Sequence, residues 1–310
     1  MNKGRENMIK KNQQTFGHLI ALFTILVWGT TFVSTKVLLE KFTPVEVLFT
    51  RFGIGLIVLF LMNHRPMKLK EKKHEWYFVG AGVTGVTLYF LFENIALTYS
   101  TASNIGILLA CVPFLTGILS HIIMKEPLKK TFFIGFIFAI IGIAIINFNG
   151  QVVLKLNPLG DFLAIIAGFI WAMYCLFLRK LEEYEYDTVQ TTRRVFTWGV
   201  LFMIPVLFVL GYHPKLETML EPVYIANFLY LGVGACAICF VTWNMALKIL
   251  GVVRTSVYLY LNPVITIIAS AIILKERITW IAVVGTIFIL LGLVISERGS
   301  KEVENKEIEQ

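Results

Sequence analysis

The stretch CVPFLTGILSHIIMKE at residues 111–126 is matched by LNPVITIIASAIILKE at residues 261–276, 150 positions later. In each stretch a proline stands third and a Lys-Glu pair comes last. Between these marks both stretches are mostly apolar, as expected of helices in the hydrocarbon core of a bilayer. The fold must therefore explain why one chain carries the same apolar segment twice.

The composition indicates a protein whose natural solvent is lipid. Hydrophobic residues make up 57% of the 310 residues, and charged residues make up 15%, against roughly 25% in a soluble domain. The net charge of +8 comes from short basic runs between apolar segments, which favours orientation in a lipid membrane over nucleic-acid binding. All four cysteines lie inside apolar stretches, so we predict no disulfides.

Ten apolar segments of roughly 20 residues predict ten transmembrane helices. Backbone groups in lipid must be paired internally, and continuous apolar runs favour helices over the alternating strands of a barrel. The predicted fold class is therefore an all-α integral membrane protein with two loosely ordered polar tails, residues 1–16 and 297–310. The predicted spans are 18–37, 44–63, 76–98, 102–124, 131–148, 160–179, 188–210, 223–248, 253–274 and 278–296.

Lysine and arginine are distributed unequally between the two sides of this topology. With the N-terminus in the cytoplasm, 19 of them fall on the cytoplasmic side and 6 on the other, and three arginines lie within spans. Cytoplasmic loops of membrane proteins carry the excess of positive charge. We therefore predict a multi-pass protein of the cell membrane with both termini cytoplasmic.

The repetition extends through most of the chain. An offset of 150 pairs NIAL at 94–97 with NMAL at 244–247, and an earlier offset of 143 pairs Trp28 with Trp171. The remaining pairs are Gly135 with Gly285, Gly142 with Gly292, Lys36 with Arg179 and Arg51 with Arg194. Five spans per copy is an odd number, so the second copy enters the membrane from the opposite side. The sequence thus predicts two inverted five-helix repeats, residues 17–149 and 150–296, an arrangement typical of secondary transporters that work by alternating access.

Several motifs follow one another over roughly residues 17–296: WGTTF at 28–32, NIALTYSTASN at 94–104, and a P-x(12)-E spacing at 113–126 and again at 263–276. In these the chain resembles the EamA family of the drug/metabolite transporter superfamily. The resemblance implies a ten-helix inverted-repeat carrier and export of amino acids or other small metabolites. Import is the alternative direction, and a membrane scaffold or enzyme with a duplicated fold is the alternative class.

The chain carries no H-E-x-x-H, P-loop or G-x-S-x-G motif. CAIC at 236–239 has the C-x-x-C spacing, but it lies within a span and has no second pair, which favours helix packing over metal binding. We therefore predict no catalysis, no cofactor and no metal, and energy drawn from an ion or substrate gradient.

The candidate substrate site is built from aromatic and amide side chains. Trp28 and Trp171 lie near the middle of their spans, where an indole could stack on a substrate or pack between helices, and Thr31 and Tyr174 share their faces. Five more candidates are Asn94, Trp243, Asn244, Tyr258 and Asn262, the last two of which lie one turn apart. The asparagines could equally hold helices together by hydrogen bonds. This set favours a neutral or zwitterionic metabolite over a polyanion.

Three further intramembrane features bear on mechanism. Pro113 and Pro263 each remove a backbone hydrogen bond, so we expect each to be a hinge or a static kink. Arg51 and Arg194 are expected near the boundary of their spans, each with a partner on another helix. Glu93 is an acid about 9 Å below the predicted span end at Tyr99. It is our candidate for coupling transport to protons, with an interhelical hydrogen bond as the alternative.

Overall fold

Every regular element in the described part of the chain is helical. The computed structural model describes residues 2–99, 108–109, 111–125, 128–147, 158–213, 216–262, 264–265, 268, 272 and 280–308. The α-helices are α1 Asn2–Leu39, α2 Pro44–Met62, α3 Glu75–Gly82, α4 Tyr89–Tyr99, α5 Val112–Met124, α6 Lys130–Asn147, α7 Pro158–Glu182, α8 Thr188–Leu210, α9 Leu216–Met219, α10 Pro222–Leu229, α11 Cys239–Leu250, α12 Val252–Ser256 and α13 Trp280–Ile308. Short 3₁₀-helices occupy Lys72–His74 and Val257–Leu261.

The predicted all-helical membrane fold is confirmed. Five helical stretches in the described residues are long and apolar enough to cross a bilayer: Pro44–Met62, Lys72–Ala96, Pro158–Glu182, Thr188–Leu210 and Pro222–Leu250. Shorter apolar helices cover Val112–Met124, Lys130–Ile145 and Val283–Ser296. Predicted span one lies within α1, and predicted span nine is described only in part, mainly over residues 253–262. The count of ten spans stays a prediction.

The two polar tails continue the first and last helices of the chain. α1 begins at Asn2 and α13 continues to Ile308, well beyond their apolar segments. A helix is costly to nucleate but cheap to extend, so a membrane-anchored segment can carry polar residues on as further turns.

Local sequence sets the helix ends near the site. Thr43 and Glu46 form a capping box at the start of α2: the Thr43 amide donates to the Glu46 carboxylate at 2.8 Å, and Pro44 occupies the first turn. Asp187 caps α8 by accepting from the Gln190 amide at 2.9 Å. α11 ends at Gly251, whose φ of +81° favours glycine.

Two of the membrane-length helices contain π-helical segments. The first segment is Val83–Leu88, between α3 and α4, and the second is Tyr230–Ile238, between α10 and α11. An offset of 150 carries the first segment onto residues 233–238 of the second. Single π turns are rare and are found frequently at functional sites, because they turn side chains out of the regular helical register.

Glycines allow α6 and α13 to pack backbone against backbone. A Cβ atom at Gly135 would lie 2.5 Å from the Gly292 carbonyl oxygen, and one at Gly142 would lie 2.5 Å from that of Gly285. The 150-residue offset exchanges these two contacts, since it pairs Gly135 with Gly285 and Gly142 with Gly292. Small residues at such crossings are the usual means of close helix approach in lipid.

Candidate substrate site

Three tryptophans from three helices meet at the centre of the molecule. The Trp28 ring centroid on α1 lies 5.6 Å from that of Trp171 on α7 and 5.1 Å from that of Trp243 on α11. Trp171 and Trp243 are 6.5 Å apart. Trp28 is about 16 Å from the α1 end at Leu39, roughly half of a 30 Å bilayer core. The structure thus brings together three candidates that are far apart in sequence.

Two rings that the sequence reasoning missed complete this aromatic cluster. Tyr89 packs on Trp171 at 4.7 Å, and Phe240 packs on Trp28 at 5.5 Å. Tyr89 follows the first π segment, and Phe240 stands two residues beyond the second. A break in helical register cannot be read from hydropathy, so no sequence signal placed these rings toward the centre.

The indole N–H groups of the cluster are not equivalent. Trp28 donates its Nε1 proton to the Ala235 carbonyl at 3.0 Å. The Nε1 atoms of Trp171 and Trp243 are buried and have no acceptor among the described residues. An unmade hydrogen bond on a buried donor costs about 1–3 kcal/mol. Unsatisfied donors in a native structure call for an explanation, and a ligand that accepts from them is one.

Beside the cluster lies a charged group that we had expected near the membrane boundary. Arg51 on α2 is 6% exposed, and its Nε donates to the Cys236 sulfur at 3.2 Å. Its guanidinium carbon stands 5.0 Å from the Phe90 ring centre and 5.5 Å from that of Phe52. Arg51 therefore has the expected partner on another helix, but its guanidinium is enclosed by apolar side chains.

Glu93 is the acid of this region. It is 7% exposed, and it accepts a hydrogen bond from the Tyr89 hydroxyl at 3.3 Å. The charge of Arg51 is near enough to act on it. Tyr89 and Glu93 both lie on α4, so this bond is within one helix, and Glu93 makes no hydrogen bond to another helix among the described residues.

The two candidate asparagines differ in their surroundings. Asn244 accepts from the Tyr174 hydroxyl at 3.1 Å and donates to the Thr192 hydroxyl at 2.9 Å. These bonds join α7, α8 and α11, which is the interhelical role weighed for Asn244. Asn94 makes no hydrogen bond with residues that the structure describes, although it is only 8% exposed.

The other sequence candidates lie outside the ring cluster. The Thr31 hydroxyl donates a hydrogen bond to the Trp28 backbone carbonyl at 2.7 Å. Tyr258 bonds His18 Nδ1 at 2.7 Å, which links the 3₁₀ segment to α1. Asn262 lies against α1, because its carbonyl oxygen would be 3.5 Å from a Cβ atom placed at Gly29.

The two prolines cannot be compared as hinges. Pro113 lies in the first turn of α5, just after a turn at Cys111, so it interrupts no hydrogen bond inside that helix. Pro263, like Glu126 and the Lys275-Glu276 pair, is outside the described residues.

One end of the molecule, where residues 63–74 meet residues 183–187, is closed by polar contacts; we call it the basic-loop end. Glu75 accepts from Arg194 Nε at 3.0 Å and from Trp198 Nε1 at 2.5 Å, which ties α3 to α8. Arg193 donates to the backbone carbonyls of Asn63 and Arg65. The partner on another helix expected for Arg194 is therefore present.

His74 and Tyr186 extend this closure. The Tyr186 hydroxyl is 2.8 Å from His74 Nδ1 and accepts from the Lys70 amide at 2.9 Å. Glu71 lies 3.9 Å from His74 Nε2, and a hydrogen bond from Lys73 lowers the pKa of the Glu71 carboxyl below its usual range. Glu71 is therefore ionised at neutral pH.

Two cavities flank the centre in the described residues. A small one of about 20 Å³, room for about one water molecule, lies toward the basic-loop end between Tyr186, Thr191, Asn244 and Lys248. A larger cavity of about 380 Å³ lies between α2 and α10, and its lining is apolar apart from Thr50. No cluster of His, Cys, Asp and Glu that could hold a metal occurs in the described ranges.

The multi-helix membrane fold and its buried aromatic cluster can be compared with those of known proteins. The model of the EamA-like transporter family matches residues 15–148 and again residues 158–297. The chain therefore belongs to the EamA-like transporter family and is a multi-pass membrane protein.

Relatives of similar length carry transporter names. A protein of Archaeoglobus fulgidus named "Uncharacterized transporter" is 27% identical over 90% of this chain and 96% of its own. "Uncharacterized transporter YyaM" of Bacillus subtilis is 26% identical over 86% of this chain and 88% of its own. A solved crystal structure, 18% identical, has the same fold with a TM-score of 0.75 over 93% of this chain and 98% of that one.

Proposed function

We propose that this protein is a secondary transporter that exports a small metabolite, such as an amino acid, by alternating access between inverted repeats 17–149 and 150–296. The observation that carries the proposal is that helix contacts occur in exchanged pairs. α1 packs on α11, and α4 packs on α7, which is the same contact with the two repeats interchanged. A pseudo-two-fold relation requires every contact between non-equivalent helices of the two repeats to occur twice, whereas an unrelated bundle does not.

Three further observations support the inverted relation. The glycine contacts between α6 and α13 exchange under the repeat offset. The two π segments fall at equivalent positions. The family model matches the chain twice, once in each half. Two copies that face opposite ways can exchange conformations, and each exchange would open the central site to the other side of the membrane.

The orientation and direction of transport complete the proposal. The excess of lysine and arginine assigns the basic-loop end and both termini to the cytoplasm. The closure formed by Glu75, Arg193 and Arg194 would then be the cytoplasmic gate, shut in this conformation. Export in preference to import follows from the family resemblance.

The substrate would lie among the tryptophans. Trp171 and Trp243 offer two indole donors with no acceptor in the described part of the chain, and Trp28 supplies a ring face. Large rings with few charges suit a neutral or zwitterionic metabolite with an apolar part. Glu93 would take up and release the coupling proton.

Flux through proteoliposomes tests the proposal. A thermal-shift screen of the purified protein against metabolites identifies a ligand, because a ligand at 100 times its Kd stabilises by about 2.7 kcal/mol. Preloaded vesicles should then exchange that ligand, and Trp171→Ala should reduce exchange at least tenfold. Trp76→Ala is the matched control, since Trp76 is 75% exposed at a helix end. No exchange by the wild-type protein would point to a scaffold or an enzyme.

A further inference from the structure

The guanidinium of Arg51 has unused hydrogen-bond capacity in the interior of the protein. The side chain is 6% exposed, and its one hydrogen bond to a described residue is from Nε to the Cys236 sulfur, a weak acceptor. Its other contacts are the faces of Phe52 and Phe90. The Nη1 and Nη2 groups therefore have no acceptor among the residues that the structure describes. A buried arginine is normally paired, because an uncompensated charge in a low-dielectric interior is strongly unfavourable.

The other two arginines within predicted spans, Arg193 and Arg194, show how a guanidinium group is hydrogen-bonded in this protein. Arg194, the repeat counterpart of Arg51, pairs with the Glu75 carboxylate through Nε and Nη2. Arg193 uses both terminal nitrogens on backbone carbonyls. Arg51 differs from both because its terminal nitrogens are left free.

The terminal N–H groups of Arg51 lie close to the aromatic cluster. Phe52 and Phe90, which flank the guanidinium, pack on Phe240 at 5.9 and 6.4 Å, and Phe240 packs on Trp28. Glu93 lies near enough to act on Arg51 electrostatically, but the two form no ion pair within 4.0 Å. The N–H donors of Arg51 are therefore not used by Glu93.

A planar pair of N–H donors matches a carboxylate, which accepts two parallel hydrogen bonds from guanidinium. A phosphate ester or a dicarboxylate would need further cations, whereas Arg51 is the one cation in the described part of this site. We propose that Arg51 binds the carboxylate of a substrate that carries a single acid group and an apolar body, with the apolar body against Trp28 and Phe240. The proposal rests on the proposed function, since it places the acid group of the transported molecule.

A matched pair of probes tests this subsite. The probes are 3-phenylpropanoate and 3-phenylpropanamide, which share size and ring but differ in charge. Their binding to the full-length protein in lipid nanodiscs is measured by calorimetry. We expect the wild-type protein to bind the acid at least tenfold more tightly than the amide. Arg51→Gln should bring this ratio to about one, because an amide cannot supply a charged fork, whereas Arg194→Gln should keep the wild-type ratio.

Arg51→Lys keeps the proposal testable if Arg51→Gln does not fold. Lysine retains the charge but not the planar fork, so the preference for the acid should fall at least threefold. A wild-type protein that binds both probes equally, or neither, would overturn the proposal, and so would an undiminished preference in the Arg51 variants. These outcomes are separate from the proposed function: exchange in vesicles that depends on Trp171 but not on Arg51 would remove the carboxylate subsite alone.

Discussion

Replacing Trp171 by phenylalanine should weaken ligand binding while leaving the fold about as stable as before. The Trp171 Nε1 has no acceptor in the described structure, so its removal relieves a penalty of about 1–3 kcal/mol. Truncation of the indole to a smaller ring leaves a cavity, at a cost of about 1–2 kcal/mol. The two effects oppose each other and nearly cancel. If a substrate accepts from this N–H, its affinity should fall about tenfold or more.

Trp28→Phe is the internal control, because Trp28 does have a partner. Its N–H bonds to the Ala235 carbonyl at 3.0 Å, and the variant loses that bond as well as the ring volume. Trp28→Phe should therefore be less stable than Trp171→Phe by about 2 kcal/mol or more. At roughly 2 °C per kcal/mol for a chain of this size, thermal unfolding midpoints in detergent should differ by about 4 °C.

The reasoning would be refuted by equal destabilisation in the two variants together with unchanged affinity in Trp171→Phe. That result would make the Trp171 indole an ordinary packing group. Its unpaired N–H would then have no functional meaning.

The remaining predictions concern packing, coupling and gating. Gly142→Val should lower the free energy of unfolding by about 1–3 kcal/mol or more, because the added Cβ meets the Gly285 carbonyl. Gly53→Val should change stability little, because no atom lies within 4 Å of a Cβ at that position. Thermal unfolding of both variants checks this. Glu93→Gln cannot titrate, so vesicles carrying it should exchange substrate but show no accumulation driven by a pH gradient, and accumulation equal to wild type would make Glu93 structural. Glu75→Gln should weaken the link to Arg194 by about 1–2 kcal/mol, a figure that allows for the partial exposure of both side chains. A cysteine introduced at the basic-loop end should then become several-fold more reactive to thiol reagents. A lower unfolding temperature with unchanged thiol reactivity would argue against a gate.

Hydropathy and repetition were enough to predict the helical membrane fold and the positions of most helices. Apolar runs of bilayer length leave little choice of structure, because lipid cannot hydrogen-bond an open backbone. The sequence offset that pairs Trp28 with Trp171 also singled out two rings that are in contact in the structure. The equivalence of Gly135 with Gly285 marked two helices that pack backbone against backbone.

The polar details could not be predicted in the same way. The sequence predicts that Arg51 has a partner on another helix, but it could not identify Cys236 as that partner or Phe90 as a neighbour, because both lie elsewhere in the chain. Tyr89 was missed because the π segment before it changes which face it occupies. Asn94 and Asn244 occupy equivalent positions in the two repeats yet differ in their bonds, since only Asn244 lies beside Tyr174 and Thr192.

Reciprocal accessibility of one repeat-equivalent pair tests the alternating-access account most directly. Thr98 near the end of α4 and Lys248 near the end of α11 are both exposed and are related by the 150-residue offset. Single cysteines at these positions are labelled from each side of sealed vesicles, with and without the ligand found by thermal shift. The account predicts that conditions which raise the reactivity of one cysteine lower that of the other by a similar factor, several-fold or more. Reactivities that stay high together, or that do not respond to ligand at all, would contradict it.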